Sequence, residues 1–211
     1  TWLDPDPSAL IGDIVSSAGD VNGDGFDDVI IGAYQADPDG KSNAGETYVV
    51  FGKSSGFSAD LDFSSLNGSN GFRLDGVDAN DYSGTSVSSA GDANGDGYDD
   101  VIIGARYAGP DGKSNAGESY VVFGKSSGFS SSLDLSSLNG SNGFRLDGVD
   151  AGDVSGWSVS SAGDVNGDGY DDVIIGADWA DPDGNSNAGE SYVVFGKSSG
   201  FSADLDLSSL D

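Results

Sequence analysis

Short apolar runs, separated by glycine, asparagine, aspartate and serine, recur along the whole chain. In its middle third the pattern predicts four strands, near 72–75, 85–89, 100–105 and 118–123. Alternation of Thr85, Val87 and Ser89 is typical of a half-exposed strand, whereas the apolar runs 101–103 and 120–123 indicate strands buried on both faces. We therefore expect the two apolar runs to form the inner strands of one sheet.

The segment 130–138 carries Leu133, Leu135 and Leu138. Its period fits either a fifth strand or a helical turn between sheets. A second polar segment, 36–46, holds Asp39, Asn43 and Glu46, and Pro-Asp-Gly turn chemistry favours a hairpin loop there over a second cation site.

The same pattern occurs three times, at intervals of 72 residues. Repeats of this length are usually one supersecondary unit each, and four strands per unit is the composition of a propeller blade. We predict an all-β protein made of three four-stranded blades that form one structural domain. The predicted units are 1–72, 73–144 and 145–211.

Each unit contains a nine-residue acidic loop: DVNGDGFDD at 20–28, DANGDGYDD at 92–100 and DVNGDGYDD at 164–172. In the first loop, Asp20, Asn22, Asp24 and Asp28 occupy places 1, 3, 5 and 9, and Phe26 at place 7 offers a backbone carbonyl. Alternating oxygen donors suit a hard cation, and Ca²⁺ fits best. The equivalent candidate ligands are Asp92, Asn94, Asp96, Tyr98 and Asp100, then Asp164, Asn166, Asp168, Tyr170 and Asp172.

Turn-forming residues facing solvent would give a similar composition in one loop. Three copies in one register, without a lost carboxylate, favour the cation site, and we expect one Ca²⁺ per repeat and three per chain. An EF-hand is excluded because its twelfth position must be acidic, whereas Ile31, Ile103 and Ile175 stand there.

Composition narrows the function classes. The chain of 211 residues has 35 glycines and neither cysteine nor histidine, which removes disulfides, thiol nucleophiles, imidazole bases and the usual zinc ligands. Its formal charge of -28 would repel nucleic acid and anionic membranes. The apolar runs are too short to cross a bilayer, so we expect no membrane insertion. No leader pattern stands at Thr1, and we expect a processed or excised chain.

The segments SVSSAGDANGDGYDDVIIGA at 86–105 and SNAGESYVVFG at 114–124 resemble the FG-GAP repeats of integrin-alpha-like β-propellers, especially tandem bacterial forms. The resemblance covers nearly the whole chain and implies that the acidic loops bind Ca²⁺ between two strands of a blade. It also implies a secreted or cell-surface protein with a structural, adhesion or protein-interaction role. The name-giving Phe-Gly is replaced by Ile11-Gly12, Ser83-Gly84 and Ser155-Gly156, and the proline after Gly-Ala by Tyr34, Arg106 and Asp178.

Closed propellers usually need about four to eight blades, so three blades are too few. Two chains would close a six-bladed ring through a twofold axis, each terminus completing a blade of the other chain. The alternatives are neighbouring blades in a longer chain, or an open arc stabilised by its neighbours.

Two other functions remain open from the sequence. Aromatic residues that follow the Gly-Ala step, Tyr34, Tyr107 and Trp179, would suit calcium-dependent sugar binding, although packing between blades explains them equally well. A hydrolase would use paired carboxylates with Ca²⁺. Because every acidic cluster recurs in each repeat and no singular one stands out, we predict that the chain is not an enzyme.

Overall fold

The computed structural model describes residues 2–3, 9–57 and 59–210. Its described residues form strands and single 3-10 turns, so the predicted all-β class is confirmed. The strands are β1 (Trp2–Leu3), β2 (Ile14–Gly19), β3 (Asp28–Ala33), β4 (Glu46–Val50), β5 (Leu61–Asp62), β6 (Gly71–Asp75), β7 (Ser86–Gly91), β8 (Asp100–Ala105), β9 (Glu118–Val122), β10 (Ser132–Asp134), β11 (Gly143–Asp147), β12 (Ser155–Gly163), β13 (Asp172–Ala177), β14 (Glu190–Val194) and β15 (Asp204–Asp206). The 3-10 turns are Pro38–Gly40, Phe63–Ser65, Pro110–Gly112, Leu135–Ser137, Pro182–Gly184 and Leu207–Ser209.

Thirteen of these strands form three blades, and β1 and β5 form a separate parallel pair. Blade 1 has the order β10-β6-β4-β3-β2 and blade 2 the order β15-β11-β9-β8-β7, while blade 3 is a three-stranded sheet of β12-β13-β14. Neighbours within β2-β3-β4-β6 and within β7-β8-β9-β11 are antiparallel. As predicted, the apolar runs supply inner strands, β8 and β9 in blade 2.

Each complete blade contains strands from more than one repeat. The strand at Gly71–Asp75 joins the sheet of the preceding blade, because its hydrogen bonds go to β4. Ser132–Asp134 then adds to β6 as a short parallel fifth strand. It ends where the carboxylate of Asp134 accepts the backbone N–H of Ser136 (2.8 Å), which starts the 3-10 turn. The segment 130–138 is therefore both a fifth strand and a helical turn.

The hydrophobic core lies between the blades. In β8, Val101 and Ile103 pack toward blade 1, whereas Ile102 packs toward blade 3, as the pleat of a strand requires. Linker aromatics complete each layer, since Phe129 stacks on Phe72 with ring centroids 4.6 Å apart. Burying one such side chain contributes about 1.5–3 kcal/mol. A blade is consequently stabilised mainly through the neighbours on its two faces.

Candidate cation-binding loops

The three acidic loops occupy equivalent places, each joining the first two strands of its blade. In blade 1 the loop runs from the end of β2 to Asp28, the first residue of β3, and Gly19 lies opposite Asp28 across a register shift. Gly25 has φ 88°, in the left-handed region, which agrees with the sharp turn expected at place 6. The structure thus brings places 1 to 9 of each copy into one compact turn.

Backbone N–H groups gather the side-chain oxygens of the first three candidate ligands. The N–H of Asp24 donates to Oδ1 of Asp20 (3.0 Å) and to Oδ1 of Asn22 (2.8 Å). The second oxygen of Asp20 accepts from the N–H of Gly25 (2.8 Å), and Oδ1 of Asp24 accepts from the N–H of Phe26 (3.0 Å). The other two loops have the same bonds, so the amino-acid order itself fixes this turn.

The place-9 aspartate is the buried member of each set. Asp28 accepts N–H groups of Val21 (3.0 Å) and Gly52 (2.8 Å), one with each carboxylate oxygen. Burial raises its pKa to about 6, and the charges of Asp20 and Asp24 act in the same direction, against the lowering by its two hydrogen bonds. In blade 2, where blades lie on both sides, burial raises the pKa of Asp100 to about 8.

The candidate ligands are neighbours, but their carboxylates do not form a tight cage. Within the described ranges, no group of three or more His, Cys, Asp or Glu side chains is arranged so that it could hold a metal ion. The donors are all oxygens, which suits a hard cation. The charges of the aspartates at places 1 and 5 contribute to the raised pKa of Asp28 and of Asp100, so these carboxylates lie within electrostatic reach of one another. A cation at this turn would be held by the side chains at places 1, 3, 5 and 9 and by the backbone carbonyl at place 7, and would remove that repulsion.

Sequence reasoning missed the role of place 8. The carboxylate of Asp99 crosses to the preceding loop and accepts the N–H of Asp20 (2.7 Å), and Asp171 does the same for Asp92 (2.9 Å). The only signal was that an aspartate recurs at place 8 in all three copies. These contacts connect the first two acidic loops to the next blade.

The place-7 aromatic residue also crosses between loops. A side chain at Gly23 would collide with the ring of Tyr98, and one at Gly95 would collide with the ring of Tyr170. Glycine is therefore required at place 4 wherever a following blade is present. This close approach makes place 7 a packing position between loops.

The second polar segment is a hairpin loop. Its 3-10 turn Pro38–Gly40 is followed by Asn43, whose N–H donates to Oδ1 of Asp37 (2.7 Å). Glu46 instead accepts a hydrogen bond from the hydroxyl of Tyr48 and lies 3.4 Å from Arg73. Glu46 thus belongs to a separate buried charge cluster.

The equivalent cluster in blade 2 contains Glu118, Tyr120, Arg145 and Asp147. Tyr120 donates to Glu118, and Arg145 forms an ion pair with Asp147. Burial raises the pKa of Glu118 to about 7, against the lowering by Tyr120 and Arg145. The nearby charges of Asp147 and Asp81 raise this pKa further. This arrangement is structural, because its carboxylates are engaged by side chains of the same sheet.

The aromatic residues after the Gly-Ala step divide into two groups. Tyr34 and Tyr107 both contact Tyr82, with centroids 6.2 and 5.5 Å apart. Arg106 lies over the ring of Trp157, 4.5 Å from its centroid, and so connects blades 2 and 3. Trp179 remains about half exposed. Packing accounts for the tyrosines and leaves Trp179 available to a ligand.

The blades are stacked sheets of mainly antiparallel strands, and the acidic loops of neighbouring blades are hydrogen-bonded to each other. This arrangement defines a repeat protein of the propeller type. The FG-GAP repeat profile matches residues 12–50, 83–122 and 155–194, more than half of the chain. The chain therefore belongs to the FG-GAP repeat family, which confirms the resemblance deduced from the loops.

Curated relatives place the same repeats in larger proteins. Integrin alpha-PS2 of Drosophila melanogaster is 31% identical over 75% of this chain, and the match covers 11% of that protein. Phosphatidylinositol-glycan-specific phospholipase D of Bos taurus is 30% identical over 87% of this chain and 20% of its own length. Integrin alpha-4 of Xenopus laevis is 29% identical over 78% of this chain and 14% of its own length. The chain thus spans about a tenth to a fifth of these relatives. No helix in the described part is long and apolar enough to cross a membrane.

Proposed function

We propose that this chain is a calcium-stabilised, non-catalytic interaction module of a secreted or cell-surface protein. The proposal rests on the turn that occurs in all three acidic loops. In it, backbone N–H groups bind the side-chain oxygens at places 1, 3 and 5, beside a buried aspartate at place 9. Family membership and the integrin alpha relatives support the interaction role and the extracellular location. The phospholipase D relatives bear the name of an enzyme, but the matched repeats make up only a fifth of each of them.

Calcium would contribute to folding by removing repulsion within the loops. At a free concentration about 100-fold above the dissociation constant, each bound ion adds about 2.7 kcal/mol to the free energy of unfolding. Three ions would add about 8 kcal/mol, similar to the whole stability of an ordinary domain. The ions would also stiffen the junctions, because the first two loops are hydrogen-bonded to the next blade.

Isothermal titration with Ca²⁺ and thermal melts in Ca²⁺ or excess chelator test this proposal. We expect saturable binding of three ions and a sharply lower melting temperature in chelator. Asp96→Asn should lose one ion, because the amide keeps an oxygen for the N–H of Tyr98 but removes the charge. Asp111→Asn, on an exposed turn of the same blade, is the matched control. An unchanged melt in chelator together with no measurable binding would refute the calcium role.

Sugar binding is a second candidate, favoured by the exposed ring of Trp179. A glycan array with the calcium-loaded chain, followed by Trp179→Ala, tests it. Saturable binding that disappears in Trp179→Ala would support a lectin function, and an array without signal would exclude the sugars tested.

A further inference from the structure

A row of aromatic side chains lies at the ends of the strands that are opposite the acidic loops. The second strand of each blade begins at the last aspartate of an acidic loop and ends at a Gly-Ala step, as β8 does between Asp100 and Ala105. The six residues of β8 place Arg106 about 20 Å from Asp100. The row is therefore separate from the candidate cation sites.

This row runs across both junctions between the blades. The ring of Tyr34 lies 6.2 Å from the ring of Tyr82, which lies 5.5 Å from the ring of Tyr107. Arg106 lies over the rings of both Tyr107 and Trp157, with its guanidinium carbon 4.8 and 4.5 Å from their centroids. All five side chains are at least partly exposed. We call these five residues the aromatic strip.

The strip occupies positions at which the three repeats differ. Repeats 1 and 3 have a tyrosine and an aspartate at the position of Arg106, and a leucine and a valine at the position of Tyr82. Repeats 1 and 2 have an aspartate and a threonine at the position of Trp157. Places 1, 3, 5 and 9 of the acidic loops, in contrast, are identical in all three copies. The blade itself does not require the residues of the strip, so their combination belongs to one place on the surface.

Arg106 is the member of the strip that has free hydrogen-bond donors. The other two arginines, Arg73 and Arg145, form ion pairs with Asp75 and Asp147. Although the chain has 36 acidic residues, none in the described ranges accepts a hydrogen bond from Arg106. Its Nε is buried without a partner, which leaves the terminal amino groups for a ligand. Blades 2 and 3 are both present beside Arg106, so a missing neighbouring blade does not explain the free donors.

The chemistry of this place fits a single carboxylate carried by a protein segment. A guanidinium presents paired N–H groups in one plane, which match the two oxygens of a carboxylate. Stacking on two rings fixes that plane before binding, so less conformational entropy is lost. Tyrosine, tryptophan and arginine are the residues enriched at the centres of protein interfaces. The net charge of -28 repels a polyanion, so a partner with one acidic side chain among neutral or basic residues fits best.

We propose that the aromatic strip is a docking surface for a protein segment that places one acidic side chain against Arg106 and an aromatic side chain on the neighbouring rings. This inference rests on the interaction role proposed above and names the chemistry of the partner. It does not depend on bound Ca²⁺, because the acidic loops lie at the other ends of the strands.

Selection from a phage-displayed library of random peptides, with the intact chain as bait, is the first test. We expect the selected peptides to share an acidic residue close to an aromatic one. They should bind Arg106→Gln about tenfold more weakly than the unmodified chain. Lys125→Gln, which removes an exposed cation outside the strip, is the matched control and should bind as the unmodified chain does. A library without binders, or binders indifferent to Arg106→Gln, would overturn the proposal.

A second measurement separates contact with the carboxylate from a purely structural role of Arg106. Replacing the carboxylate of a selected peptide by an amide should weaken binding to the unmodified chain about tenfold and should not weaken binding to Arg106→Gln. Arg106→Lys keeps the charge without the planar fork and should retain only part of the preference. If Arg106→Gln lowered the melting temperature but kept the full preference for the carboxylate, Arg106 would only connect blades 2 and 3 and the proposal would be wrong.

Nuclear magnetic resonance of the arginine side chains locates the contact. The guanidinium signal of Arg106 should shift when the peptide is added, whereas the signals of Arg73 and Arg145, which are already paired, should stay in place. An equal shift with inorganic phosphate at the same ionic strength would indicate a general anion site and would overturn the assignment to a protein segment.

Calcium titration of the same samples keeps this test apart from that of the proposed function. A chain that binds Ca²⁺ but no peptide would refute the docking surface alone. A chain that binds the acidic peptide through Arg106 but binds no Ca²⁺ would support the docking surface and refute the calcium role.

Discussion

Blades 2 and 3 have nearly the same sequence and different surroundings. The strands ESYVV at Glu118–Val122 and Glu190–Val194 are identical, yet the first is buried throughout and the second alternates between exposed and covered residues. The difference arises because blade 2 has a blade on each side and blade 3 has one. Burial in this protein is therefore a property of the junction between blades, and the apolar pattern of one repeat presupposes neighbours on both faces.

The largest expected effect on stability is the difference between substituting Val121 and substituting its equivalent in blade 3, Val193. Val121→Asp would place a charge in a packed junction without a partner, and we expect a loss of about 3–5 kcal/mol in the free energy of unfolding. Val193→Asp, at the equivalent exposed site, should change the stability of the monomer by less than about 1 kcal/mol. Urea denaturation at low protein concentration measures both. Equal losses would contradict the idea that the junction decides burial.

Glu118 in blade 2 and its equivalent Glu190 in blade 3 allow the two blades to be compared by the pH dependence of stability. The raised pKa of Glu118, about 7 against 4.5 in the unfolded chain, means that the folded state holds a proton that the unfolded state releases. Its contribution is fully present below pH 4.5 and is lost as pH rises through 7, by on the order of 3 kcal/mol.

Unfolding by urea at pH 5 and pH 8 in chelator tests this loss. Glu118→Gln should flatten the decline, and Glu190→Gln, at the half-buried equivalent, is the matched comparison. A decline that persists in Glu118→Gln would assign it to other groups, such as Asp81, whose pKa burial raises to about 6.

Much of the fold was predictable from local pattern, and the junctions were not. The runs 101–103 and 120–123 identify inner strands because residues buried on both faces must be apolar on both faces. The acidic loops were recognisable because alternate oxygens need a fixed spacing. Two features depend on contacts between repeats: β10 adds to the sheet of the preceding blade, and Asp99 bonds to the preceding loop. The repeat period of 72 residues does not indicate which repeats make such contacts.

The acidic loops should differ in the same way as the strands. Asp96→Asn and Asp168→Asn remove equivalent charges, but the loop of Asp96 is held by Asp171 of the next blade. We expect each variant to lose up to about 2.7 kcal/mol of calcium-dependent stability. The site removed by Asp96→Asn should have a higher affinity for Ca²⁺ than the site removed by Asp168→Asn, because the loop of Asp96 is better ordered before binding. Calorimetric titration of both variants measures this. If the sites that remain in Asp96→Asn bound Ca²⁺ as tightly as those that remain in Asp168→Asn, the neighbouring blade would not order the loop.

The smallest expected effect concerns one hydrogen bond between loops. Asp171→Ala leaves the half-buried N–H of Asp92 without its acceptor, and we expect a loss of about 1–2 kcal/mol in the free energy of unfolding. Asp171→Asn keeps an acceptor and should retain most of that stability. In dilute solution Asp27→Ala should be neutral, because Asp27 is exposed. Equal losses of stability in Asp171→Ala and Asp27→Ala would show that place 8 does not act through the neighbouring blade.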